Sequence, residues 1–246
     1  MLKTVIFDMD GVIIDSEAQH AKASLNTFKE LGVDTDLDYC KSFTGSSSKK
    51  MAETAIKDFS LDITTNALLD KLNLAKKKLH EKEGYIPVEG VDALIKRLYK
   101  DGVQLAIASS SSPKEIETVV KKLGIKKYFE KLVSASSVAN PKPSPDTFLL
   151  ALEKLGAAPE DTVIIEDSTF GVKAAKAANV ACIGFINPNS GNQNLNDADV
   201  LIESFDGIDK TFIENTLLRS QGKPLTIAST KRLFIRELAE ELVNDA

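Results

Sequence analysis

The chain reads as an α/β protein, a doubly wound, Rossmann-like parallel sheet interrupted by an inserted all-helical cap. Three observations predict this. Short apolar runs alternate with helical patterns from about residue 88 onward. An isolated run of the same kind, TVIFD, opens the chain at residues 4–8. Between the two, residues 16–84 carry only helical patterns. A chain of 246 residues is long enough for one large domain, or for a core with a smaller insert.

The elements follow in order. Val5, Ile6 and Phe7 run into Asp8, giving the first strand. VQLAIAS (103–109), KLVSAS (131–136), TVIIED (162–167), VACIGF (180–185) and DVLI (199–202) are further strand candidates. They are apolar on both faces, as parallel strands covered by helices must be. PKEIETVVKKLG and DTFLLALEKLG lie between strands and read as helices closed by glycine. Alternation of this kind builds a sheet wound on both faces. The insert reads as EAQHAKASLNTFKELG, SSSKKMAETAIKDF and NALLDKLNLAKKKLHEKEG, and in the last Leu68, Leu72, Ala75 and Leu79 share one helical face. The expected organisation is a core of residues 1–15 and 85–224, a cap of residues 16–84, and an extension of residues 225–246. Hinges are expected at Ile14–Ser16 and at Glu83–Val88, where Gly84 and Pro87 lie.

Composition narrows the partners. Hydrophobic residues make up 43% and charged residues 27%, ordinary for a globular protein, and the net charge of −5 gives no reason to expect nucleic acid or an acidic membrane surface. Cys40 and Cys182 are too few for a disulfide framework or a zinc site and suit a reducing compartment. No apolar stretch approaches a membrane span and no leader pattern is visible, so a cytoplasmic location is the default expectation. The run Lys76–Lys78 reads as a solvated helix face.

Ligands of open α/β sheets bind at the carboxyl ends of the strands. The first strand ends in Asp8 and Asp10, the second in Ser109 followed by Ser110, Ser111 and Ser112, and TVIIED in Glu166 and Asp167. A fourth segment, NPKPSPD, holds Lys142 between two prolines that restrict its backbone. Ser112-Pro113-Lys114-Glu115 is a capping box, so Ser109 precedes a helix N-terminus that favours an anion. Ser144-Pro145 is expected to open another helix in the same way. Converging carboxylates repel one another, and a hard divalent cation such as Mg²⁺ relieves this with few protein ligands. Given such a cation and Lys142, one aspartate can attack phosphorus. The other can protonate the leaving oxygen and later activate water. For Glu166 two roles stay open, metal ligand or a part in the fold and its electrostatics.

These blocks, FDMDGVIIDSE, IASSSS, NPKPSPD and VIIEDSTFGVKAAKAA, resemble in their order the haloacid dehalogenase superfamily, closest to the helical-capped phosphatases and β-phosphoglucomutases. The resemblance implies Asp8 as nucleophile, Asp10 as general acid/base, and Ser109 and Lys142 as ligands of the transferring phosphoryl group. It implies Mg²⁺ on Asp8, Asp167 and the Asp10 carbonyl, with Glu166 in or just behind that shell. Family dehalogenases lack the second aspartate; its presence here implies phosphate rather than halide as the substrate class. The expected partner is a small phosphorylated metabolite, a sugar or polyol phosphate, with a mutase as the alternative.

The segment SFTGSSSKK (42–50) resembles the family's substrate-facing cap loop, with Gly45 for its turn and Lys49 and Lys50 for a second anionic group. β-Phosphoglucomutases carry an arginine shortly after the equivalent glycine, where this chain has serines. Substrate contacts are further expected from Ser110, Ser111 and His20, the last with a helix-packing role equally open. Met51 and Phe43 read as cap core. In the extension, Phe234, Leu238 and Leu242 share a helical face, whereas TKRLFIREL resembles the opening strand of GNAT-type acetyltransferases, as the front of a fusion would.

Overall fold

A computed structural model describes residues 1–43 and 48–225. Gly45 and the segment TKRLFIREL therefore lie outside the described residues. Six strands form one sheet: β1 (Thr4–Phe7), β2 (Gln104–Ser109), β3 (Lys131–Ser134), β4 (Thr162–Glu166), β5 (Ala181–Phe185) and β6 (Val200–Ile202). All neighbours are parallel, in the order β3-β2-β1-β4-β5-β6. The chain winds outward from β1 through β2 to β3, then returns to β4 on the other side of β1. That reversal places a crevice at the ends of β1, β2 and β4. Register makes the crevice a site: Phe7 pairs with both Ile107 and Ile165, so Asp8, Ala108 and Glu166 emerge at one level.

Alternation along β1 divides the core. Val5 and Phe7 pack with Leu94, Ile95 and Leu98 of a helix over Val91–Lys100 and with Ile116, Val119 and Val120 of a helix over Pro113–Lys122. Ile6 faces the other way, onto Phe148 of a helix over Asp146–Leu155 and Val172 of a helix over Thr169–Ala177. Burial of each such side chain contributes roughly 1.5–3 kcal/mol. The Pro113–Lys122 helix carries the expected cap, with Ser112 Oγ accepting from Glu115 N at 3.3 Å. The Asp146–Leu155 helix does not: its N-cap is Pro145, and the Ser144 hydroxyl donates instead to the Asp146 carboxylate.

Between β1 and the Val91–Lys100 helix lie four helices, α1 (Glu17–Glu30), α2 (Leu37–Lys41), α3 (Ser48–Asp58) and α4 (Thr65–Glu83). They share an apolar cluster of their own, built on Phe28, Ala52, Ala55, Leu68 and Leu72. The sequence pattern misses α2, whose five residues are too few to show a period; Asp36 caps it through Tyr39 N at 2.8 Å. The two chain crossings into this block pair with each other, Asp15 N to Ile86 O at 2.8 Å and Val88 N to Ile13 O at 3.0 Å. No helix among the described residues is long and apolar enough to cross a membrane.

Candidate active site

Asp8, Lys142 and Glu166 meet at the centre of the crevice. The Lys142 ammonium donates to Asp8 Oδ1 at 2.5 Å, Glu166 Oε1 at 2.7 Å and the Ala108 carbonyl at 3.3 Å. It also stands 4.7 Å from the centre of the Phe148 ring. Its side chain is only 6% exposed, so a loop lysine distant in sequence has become the buried counter-ion of two strand ends. Burial opposes the Lys142 charge, but Asp8 and Glu166 outweigh burial and keep the amine more basic than an ordinary lysine.

Glu166 has both oxygens engaged. Oε1 accepts from Lys142, while Oε2 accepts from the backbone N–H groups of Asp167 and Ser168 at 2.9 Å and from the Ser168 hydroxyl at 3.0 Å. This geometry turns Glu166 toward the lysine, which favours the second of the two roles left open for it, a part in the fold and its electrostatics. Gly171 makes the arrangement fit, since a Cβ there would collide with the Glu166 carboxylate.

Asp167 faces the loop after β1. Its Oδ2 accepts from the Ser190 hydroxyl, and Gly11, at φ +82°, passes so close that a Cβ would fall inside its carboxylate. Asp10 is held from two sides, Oδ1 by the Ser16 hydroxyl at 2.8 Å and Oδ2 by the Ser111 hydroxyl at 2.7 Å. Ser111, expected against substrate, thus secures Asp10. Its own N–H donates to Ser109 Oγ at 3.0 Å, which fixes that buried hydroxyl at the end of β2. Ser110 lines the cavity above Asp8 and Asp10. Sequence reasoning missed Ser16, Ser190 and Asn187, the last donating to the Gly11 carbonyl at 2.8 Å. The strand-end rule was able to find the latter two, because both follow β5.

The electrostatics are lopsided. The cavity, about 140 Å³, is lined among the described residues by Asp8, Asp10, Glu17, Glu166 and Asp167 but by one cation, Lys142. Burial, reinforced by the charges of Glu166 and Asp10, pushes Asp8 up to about 7 against the pull of Lys142. Burial, then Glu166 and Asp8, raises Asp167 as well. The Asp8–Lys142 pair pulls both ways: the lysine stays cationic because two carboxylates face it, and Asp8 rises because burial, with Glu166 and Asp10 nearby, outweighs that cation. Among the described residues no three His, Cys, Asp or Glu side chains form a metal cage. Two carboxylates, a backbone carbonyl and non-protein oxygens are a donor set that a hard cation such as Mg²⁺ accepts and that lacks the nitrogen and sulfur ligands typical of Zn²⁺.

Between the sheet and α1–α4 runs a cleft of about 1450 Å³, lined by His20, Lys76, Lys77, His80 and Tyr85 on one side and Ser110, Lys114 and Phe170 on the other. Lys76 and Lys77 therefore border the cleft from a face that is solvated as the sequence pattern predicts, Lys77 being 65% exposed. Lys49 does not line it. Its side chain is 73% exposed on α3, 3.9 Å from Glu53, because the helix turns that position outward. His20 does line it, with Nδ1 3.8 Å from Glu17 Oε1 and its ring 6.1 Å from that of His80. Met51 and Phe43 pack in the helical cluster as expected and also border the cleft.

Residues 5–185 match the haloacid dehalogenase-like hydrolase family. The chain belongs to that family. It is 31% identical over 180 residues to the fructose-1-phosphate phosphatase YqaB of Escherichia coli, covering 73% of this chain and 94% of that one. It is likewise 31% identical over 212 residues to the phosphorylated carbohydrates phosphatase of Thermotoga maritima, covering 82% and 91%. The crystal structure of CbbY from Rhodobacter sphaeroides in complex with phosphate superposes with a TM-score of 0.75 at 28% identity, over 87% of this chain and all of that one. Membership makes the chain a haloacid dehalogenase-like enzyme.

Proposed function

We propose that this hydrolase releases phosphate from small phosphorylated metabolites, sugar or polyol phosphates, through an aspartyl-phosphate on Asp8. The observation that carries the reading is the pairing of Asp8, held by buried Lys142, with Asp10, held by Ser16 and Ser111, at one cavity. Asp8 Oδ1 is occupied by Lys142, which leaves Oδ2 to attack phosphorus. Lys142 and the Ser109 hydroxyl face the oxygens of the transferring group. Asp10 gives its proton to the leaving oxygen and afterwards takes one from the water that cleaves the acyl phosphate. Mg²⁺ fits Asp8, Asp167 and the Asp10 carbonyl and, when bound, neutralises the charge of nucleophile and phosphate. Glu166 acts through Lys142, and Ser111 through Asp10. In this reading residues 16–84 form a cap, joined at 14–16 and 83–88 to a core of residues 1–15 and 85–224, and substrate selection falls to residues of the cleft. The chemistry of the substrate class is supported by the two phosphatases to which the chain is similar.

Hydrolysis is favoured over a mutase by serines where the mutases carry an arginine. The test is phosphate release from a panel of sugar and polyol phosphates with Mg²⁺. Asp8→Asn is expected to lower release by about 10⁴ or more, the scale of losing a covalent nucleophile. Retained turnover removes Asp8 from its role, and conversion of β-glucose 1-phosphate to glucose 6-phosphate faster than phosphate appears reassigns the enzyme as a mutase.

A further inference from the structure

The loop after β5, Asn187–Ser190, makes three polar connections that the chemistry above does not use. The Ser190 hydroxyl donates to Asp167 Oδ2. Asn187 Nδ2 donates to the Gly11 carbonyl at 2.8 Å, and its Oδ1 accepts from Asn189 N at 2.8 Å. Asn189 Nδ2 reaches Asp15 Oδ2 at 2.6 Å, on the first crossing into the helical block. Ser190 is 4% exposed and Asn187 7%, so neither hydrogen bond is a surface ornament. Ser190 N itself donates to the Asn187 carbonyl at 3.1 Å, and Gln193 Nε2 to the Ser190 carbonyl at 2.9 Å, which closes the loop into a rigid turn.

We propose that Ser190 is the positioning residue of the metal site: it takes Asp167 Oδ2 and so presents Oδ1 to the cation, while Asn187 ties the same loop to the turn after Asp10. The inference rests on the reading of Asp8 and Asp167 as the carboxylates of an Mg²⁺ site. Two constraints act on one carboxylate. Gly11 has no Cβ, so the β1 loop packs directly against the Asp167 carboxylate, nearest the same Oδ2 to which Ser190 donates. A ligating carboxylate free to rotate loses affinity, and loss of such an outer hydrogen bond weakens metal binding about 10–100-fold.

The test is Mg²⁺ binding by the full chain, read as the rise in melting temperature with Mg²⁺ concentration and by calorimetric titration, without substrate. Ser190→Ala is expected to raise the Mg²⁺ dissociation constant about 10–100-fold. Ser190→Cys, which keeps the volume and donates weakly, is expected to follow it and decides the matter where the alanine variant does not fold. Ser190→Thr, which keeps the hydroxyl, should restore binding to within about threefold of the parent by the same argument. Asn189→Ala, which cuts only the tie to Asp15, should leave the constant unchanged. Parental affinity in both Ser190→Ala and Ser190→Cys overturns the inference while the metal reading stands. A parent protein that binds no Mg²⁺ overturns both.

Discussion

The two walls of the cleft are built on different principles. On the sheet side the charged side chains of the candidate site are held by partners from other strands or loops: Lys142 by Asp8 and Glu166, Asp10 by Ser16 and Ser111, Asp167 by Ser190. On the helical side His20, Lys76, Lys77 and His80 border a wide space, and the His80 Nε2 has no hydrogen-bond partner among the described residues. One wall is over-determined and the other adaptable. Phosphoryl transfer demands fixed charges, because stabilisation of a transition state comes from groups already in place. Choice of leaving group demands only a surface that can be altered without disturbing them. The contrast teaches that substitutions on the two walls must differ in kind.

The sharpest way to break this contrast is Lys142→Met. It leaves Asp8 and Glu166 buried without a counter-ion, and at pH 8 a stability loss of about 3–5 kcal/mol is expected in urea unfolding. Phosphate release should fall about 10²–10³-fold with it. A variant that keeps parental stability and turnover removes the over-determined wall altogether.

A smaller effect comes from pH. Burial raises Asp8 to about 7 and carries Asp167 upward too. A carboxyl raised on folding adds stability that is fully present below its unfolded value, about 4, and is lost as pH climbs through its folded value. The metal-free protein is therefore expected to lose the contribution of Asp8 between about pH 4 and 7, with Asp167, also raised, adding a loss of the same sign as pH climbs. Mg²⁺ needs both ionised. The gain in melting temperature from a fixed excess of Mg²⁺ should be larger at pH 8 than at pH 6, and equal gains at both pH values count against Asp8 and Asp167 as the ligands.

The smallest effect belongs to the helical side. Lys49→Ala removes only an exposed side chain 3.9 Å from Glu53 on α3, a contact of about 0.3–0.5 kcal/mol. KM and kcat for the best sugar phosphate should each stay within about twofold of the parent by that measure. A larger rise in KM would return Lys49 to the substrate and sharpen the boundary between the walls.

Much of this was legible in the amino-acid sequence. Apolar runs with no polar face announced buried parallel strands. Once strands are parallel, their carboxyl ends collect Asp8, Asp10, Ser109, Glu166 and Asp167 at one edge, because the register of a parallel sheet leaves nowhere else for them. What periodicity cannot carry is direction and partnership. Ser111 and Glu166 were recognisable as site residues, but only folding shows that one holds Asp10 and the other Lys142. Lys76 and Lys77 read as a solvated face, which Lys77 keeps at 65% exposure, but only folding shows that this face borders the cleft. Asn187 bonds Gly11 across 176 residues and Ser190 bonds Asp167 across 23, and hydrophobic periodicity marks neither. Side-chain hydrogen bonds over such separations depend on how the β5 loop falls across the β1 turn, a matter of three-dimensional packing. The sequence by itself determined the sheet, the helical insert and the acids at the strand ends, since each follows from local pattern and strand polarity. Tertiary structure alone decided which acids face the lysine and which faces the Ser190 hydroxyl, because that choice is made by neighbours that meet only when the chain is folded.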